Sequence, residues 1–209
     1  MKSRITLIAA SLVLLGQAAH AAGNEWDIDT KHSSATFTVR HMMVSNVPGQ
    51  MTGVTGKVTY DGKNIDAIKV KASLDPSTIN TNESGRDEHL RGTDFFDVKQ
   101  YPSITFESTG VIPVERGGFK LAGKLTMHGV TKDVELTVDG PTEPFKDKKN
   151  GIEKIGASAT TTINRKEFGI TYNKALDNGG VAVSEDVKIT LNLEMSRKSD
   201  DNKVSSSSK

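Results

Sequence analysis

The side chains that could do chemistry in this chain are few. Beyond residue 21 the histidines are His32, His41, His89 and His128, and the chain has no cysteine. Zinc chemistry would need several of these histidines with Asp or Glu around one ion, and no two of them have the i, i+4 spacing of a helical site. Nucleophilic catalysis has no Cys to use, and no serine stands in a G-x-S-x-G elbow. Asp94 and Asp97 flank Phe95-Phe96 beside a predicted helix, where carboxylates cap or stay solvated. Gly117-Gly118 and Gly179-Gly180 precede no helix N-terminus, so they read as turns and not as phosphate cradles. The sequence thus assigns no catalytic residue, no metal site and no cofactor.

The elements that must position any site are strands. Apolar residues recur at every second position, which puts them on one face of an extended chain. The runs are Ala35, Phe37 and Val39; Val54, Val58 and Tyr60; Ile68, Val70 and Leu74; Ile104 and Phe106. They continue with Phe119, Leu121, Leu125 and Met127; Val134, Leu136 and Val138; Ile155, Ala159 and Ile163; and Val187, Ile189, Leu191 and Met195. Turn signals at Asp61-Gly62, Gly117-Gly118, Asp139-Gly140-Pro141 and Asn150-Gly151 join neighbours into hairpins. Eight strands with one dry and one wet face can close into an antiparallel barrel. Its interior is either filled or left open for one small ligand. The fold class expected is all-β, with a short helix in one long connection.

That helix is predicted over residues 83–91, capped by Thr81 or Asn82. On it Arg86, His89 and Leu90 share one face, and if the helix covers the barrel they face its mouth. His41 continues the parity of Phe37 and Val39 and so ends its strand on the inner side. A second break, residues 165–183, reads as a mobile loop.

Lys2 and Arg4, the apolar run 5–15 and Ala19-His20-Ala21 have the layout of a secretory signal peptide, spanning residues 1–21. The domain then covers 22–195, and 196–209 is expected to be a disordered polar tail. Without Lys2 and Arg4, 25 basic residues face 26 acidic ones. That near-neutral balance argues against nucleic acid as a partner. An outer-membrane barrel would need aromatic girdles, which one Trp and three Tyr cannot build, so no stable membrane insertion is expected. Self-association as a homodimer is left open.

Several ordered motifs resemble the YceI-like family of periplasmic, lipocalin-like isoprenoid-binding proteins, over residues 26 to about 194. They are Trp26-Asp27-Ile28-Asp29, His32-Ser33, Phe37 and Val39-Arg40-His41; then Arg86-Asp87, His89-Leu90, Asp94-Phe95-Phe96-Asp97, Tyr101-Pro102, Ile104 and Phe106. Gly123, Leu125-Thr126, His128-Gly129-Val130-Thr131-Lys132, Arg165 and Phe168-Gly169 follow. One departure is Met51 and Val54, where the family usually carries aromatic residues. The resemblance implies a periplasmic barrel that holds the apolar chain of a polyisoprenoid or isoprenoid quinone, without enzymatic activity. On that reading Phe37, Val39, Val58, Phe106, Leu125, Phe168 and Leu191 line the tunnel, with His41, Arg86 and His89 near its mouth. The alternatives are a lipid-processing enzyme using His41 and His89, and a ligand-free structural or stress-related interaction module.

Overall fold

A computed structural model describes residues 24–115, 118–177 and 180–199. Residues 1–21, read as a signal peptide, lie outside the described residues. The strands are β1 (Glu25–Ile28), β2 (Ser34–His41), β3 (Ser45–Met51), β4 (Thr55–Thr59), β5 (Lys69–Leu74), β6 (Ile104–Pro113), β7 (Phe119–Met127), β8 (Val130–Asp139), β9 (Phe145–Asp147), β10 (Ile152–Asn164) and β11 (Val183–Lys198). All pair antiparallel in one sheet, and β10 closes it by running along β11 from Ile152↔Lys198 to Asn164↔Asp186.

The eight expected strands become eight positions in a closed wall. β1 and β2 occupy one position in two pieces, since both pair with β11: Ile28 opposite Met195, and Ala35 opposite Leu191. β3 and β4 likewise share the next position, pairing with β2 and β1. β9 is a short addition on β10. β1, β3 and β9 escape the alternation for local reasons. β1 has only four residues. Along β3 the inward positions are Val47, Gly49 and Met51, and the middle one has no side chain.

The missing Gly49 side chain has a purpose: a Cβ there would lie 2.2 Å from Phe37 Cζ, so the ring of Phe37 lies across this glycine. Phe106 lies across Gly123 in the same way, with a clash of 2.3 Å for any Cβ. Each glycine lets an aromatic ring lie flat along the inner wall.

One end of the barrel is packed solid. Trp26 is fully buried there among Val58, Tyr60, Phe119, Leu121, Val138, Ile155 and Met195. Its Nε1 donates to the Tyr60 carbonyl at 2.9 Å, and Arg197 stacks 4.0 Å from its ring. Glu153, buried beside them, is bound by Arg197 at 2.8 Å and Lys146 at 3.1 Å. β11 runs through Lys198, so residues 196–198, expected to be part of a disordered tail, are strand; residues 200–209 lie outside the described residues.

At the opposite end the connection 75–103 replaces strand pairing with helix α1 (Ser84–Arg91). Its N-cap is Glu83, whose carboxylate accepts from the Gly85 and Arg86 amides, and not Thr81 or Asn82. Thr81 instead donates from its amide and hydroxyl to the buried Asp87 carboxylate, which ties the loop to the helix. The stretch 165–183, expected to be a mobile loop, is partly core. Arg165–Phe168 form a 3-10 turn closed by Gly169 at φ 79°, and Phe168 and Ile170 are buried.

Candidate functional site

Between the packed end and α1 the barrel is hollow. A cavity of about 430 Å³ opens at the helix end, within the range of about 300–1,000 Å³ typical of ligand pockets. The strands supply an apolar wall from Ala35, Phe37, Val39, Phe106, Leu125, Leu136, Ile189 and Leu191, and α1 with its following loop supplies Leu90, Phe95 and Phe96.

Of the residues singled out from sequence, Phe37, Val39, Phe106, Leu125 and Leu191 lie on this wall, and His41, Arg86 and His89 lie at its open end. Val58 and Phe168 do not line it. Val58 has the right parity but the wrong height: it pairs with Trp26 inside the packed end. Phe168 is 1% exposed and fills a second core beneath the mouth with Phe95, Met127, Ile163 and Ile170. Parity assigns a face of the wall; it carries no information on depth along the axis. Met51 and Val54, where the family usually has aromatics, both line the cavity.

The polar groups gather at the mouth. His89 donates from Nε2 to Asp94 Oδ2 at 2.9 Å, and its ring meets Phe95 and Tyr172 edge-on at 5.1 and 5.0 Å. Arg86 is turned back on its own loop, donating to the Thr81 hydroxyl and carbonyl at 2.8 and 2.7 Å. Arg165, buried, reaches the carbonyls of Ile170, Ser184 and Val183 at 2.7, 3.0 and 3.3 Å. It pairs with no carboxylate among the described residues. Burial holds its guanidinium below the ordinary value, against the pull of Glu185, whose carboxylate binds Lys166. Arg86, Arg165 and Lys174 thus line the cavity, and no Asp or Glu does. The cavity is a dry chamber whose fixed charges are positive and sit at one end.

Sequence reasoning missed Arg165, Tyr172 and Lys174 as wall residues. Arg165 was visible as a matched motif without a role; Tyr172 and Lys174 lie outside any regular period. The group of ligand-type side chains found among the described residues is Asp29, His32 and Glu194, at the packed end. There His32 donates to Asp29 at 2.9 Å and Lys154 occupies Glu194 at 2.6 Å. Hydrogen bonding from His32 and Lys31 holds the Asp29 carboxyl below its ordinary value.

With this geometry in hand, comparisons with known proteins agree on the fold. A UPF0312 protein of Staphylococcus aureus is 36% identical over 168 residues, covering 80% of this chain and 95% of the relative. The Campylobacter jejuni YceI protein superposes with a TM-score of 0.62 at 28% identity, covering 76% of this chain and 89% of that one. Burkholderia cenocepacia BcnA superposes at 0.65 and 20% identity, covering 80% and 99%. A polyisoprenoid binding domain from Saccharophagus degradans superposes at 0.57 and 14% identity, covering 81% and 97%; these last two speak to fold alone. The YceI-like domain model matches residues 26–195, the same span that closes into the barrel, and the chain belongs to the YceI-like family.

Proposed function

We propose that this protein takes up one long-chain amphiphilic lipid, a polyisoprenoid or isoprenoid quinone, and carries or sequesters it in the periplasm. The observation that carries the reading is the apolar chamber with its cationic mouth. A hydrocarbon tail in the chamber leaves water at roughly 0.8 kcal/mol for each buried CH₂. Ordering of the chain limits the net gain. The headgroup then lies among His41, Arg86, His89, Arg165 and Lys174, all suited to an electron-rich or anionic oxygen. The neighbour from Saccharophagus degradans, a polyisoprenoid binding domain, shares the barrel fold that this reading requires. A periplasmic location follows from the signal-peptide reading of residues 1–21.

Carriage needs no reactive group, so the protein acts as a binding protein and not as an enzyme. A barrel filled by its own side chains does not fit the hollow upper half. Solvent extraction of protein purified from its native source, followed by mass spectrometry, is expected to yield one lipid chain per barrel. A clean extract would overturn the proposal.

A further inference from the structure

Among the described residues, seven large apolar side chains are exposed, and four of them stand at the mouth end: Met42 at 45%, Met43 at 54%, Val44 at 76%, and Tyr172. The first three form the tip of the β2–β3 hairpin, next to the cavity residues His41 and Val47. The Val44 amide donates to the His41 carbonyl at 2.9 Å, and Met42 and Met43 have φ of 50° and 61°. That is a type I′ turn, for which Asn-Gly is the favoured pair and two methionines are a strained one. The turn is nonetheless braced. Arg40 donates to the Met43 carbonyl at 3.2 Å and to Asn46 at 3.3 Å, and the Met42 amide donates to the Ala182 carbonyl at 2.8 Å. A strained backbone and three apolar side chains held in water both oppose the free protein's stability, and strain of this kind concentrates at functional sites.

We propose that the tip Met42-Met43-Val44 seats the mouth on a lipid bilayer, so that cargo passes between membrane and chamber without crossing water. The purpose rests on the carrier reading; the docking itself does not. A second copy of the chain is a poor occupant, because a stable protein interface buries about 1,000 Å² or more and a convex three-residue tip cannot supply it. A bilayer interface yields to such a tip and accepts apolar groups to a depth of roughly 5–10 Å. The charges agree: Arg40 and Lys174 pair with no carboxylate among the described residues, and the cavity wall beside the tip carries cations without Asp or Glu. Anionic head groups complement that rim, and Tyr172 is the amphipathic ring type that prefers the interfacial layer.

The test is flotation of the full-length mature protein with vesicles of phosphatidylethanolamine and phosphatidylglycerol, beside the variant M42N/M43G/V44T. The Asn-Gly pair suits the turn, so the variant folds and melts at the same or a higher temperature. Wild type is expected to float with the vesicles and the variant to partition roughly tenfold less or lower. Wild type that stays behind, or a variant that floats equally well, overturns the docking. A wild-type dimer that the variant converts to monomer also overturns it, since the tip would then be a self-association surface. Floating protein with a clean extract leaves the docking standing and removes the carrier reading; lipid-loaded protein that does not float does the reverse.

Discussion

The two ends of this barrel are built from the same alternating strands and differ in what fills them. At the closed end Trp26, Phe119, Leu121, Ile155 and Met195 meet across the axis. At the open end the strands face Phe37, Phe106, Leu125 and Leu191 with a chamber between them. The buried charges differ in parallel. Glu153 at the closed end is neutralised by Arg197 and Lys146, whereas Arg165 at the mouth, among the described residues, is hydrogen-bonded by backbone carbonyls and pairs directly with no carboxylate. The closed end therefore stores stability, and the open end keeps unspent apolar surface and a cation without a direct ion pair.

The most severe way to break this contrast is to remove the plug. Trp26→Ala deletes a fully buried indole, its hydrogen bond to Tyr60 and its stacking partner Arg197. A loss of about 3–5 kcal/mol is expected from equilibrium urea unfolding. Lipid retained by the fraction still folded should be unchanged, because Trp26 is not on the cavity wall.

The next largest effect concerns the closed-end charges. Burial raises the pKa of Glu153, but hydrogen bonds from Arg197 and Lys146 outweigh it and hold the carboxyl below its ordinary value of 4.5. A depressed folded pKa contributes stability above 4.5 that is lost as pH falls from there through the folded value. Glu153→Gln removes the buried negative charge that Arg197 and Lys146 bind and is expected to cost about 3 kcal/mol at neutral pH. Thermal unfolding followed from pH 7 to about 3 should show the variant losing less than wild type over the acid range. Parallel curves would show that the pair contributes nothing specific.

Much of this contrast is legible in the sequence. Alternation located eight wall positions, the face of Phe37, Phe106, Leu125 and Leu191, and the placement of His41, because period two is a local property of an extended chain. Height along the axis is not local. Val58 and Phe37 share a parity, yet register places Val58 opposite Trp26 in the plug and Phe37 over Gly49 in the chamber. Phe168 was misassigned because it lies on a 3-10 turn that no strand period describes. Arg165 was seen only as a motif, since what gives it meaning is the absence of a carboxylate in a wall assembled from distant strands. The glycines facing Phe37 and Phe106 were a readable sign of the chamber: an aromatic set against a glycine marks a ring lying along the wall.

The mildest test asks for opposite responses from the two ends to one kind of change. Ala159 is buried in the packed core beside Leu191, at the border of the plug and outside the cavity lining, and Leu125 stands on the chamber wall. Ala159→Phe adds volume where none is free, so side chains must leave their rotamers, and a cost of about 1–3 kcal/mol is expected. Leu125→Trp adds volume into empty space and is expected to shift stability by about 1 kcal/mol or less, because the added ring gains wall contacts without displacing others. Lipid content should move the other way, falling several-fold in the Leu125 variant and staying level in the Ala159 variant. Urea unfolding and solvent extraction on the same preparations read both quantities. If both substitutions destabilise alike and neither changes the lipid, the chamber is already occupied by the protein's own side chains and the two ends are not different in kind.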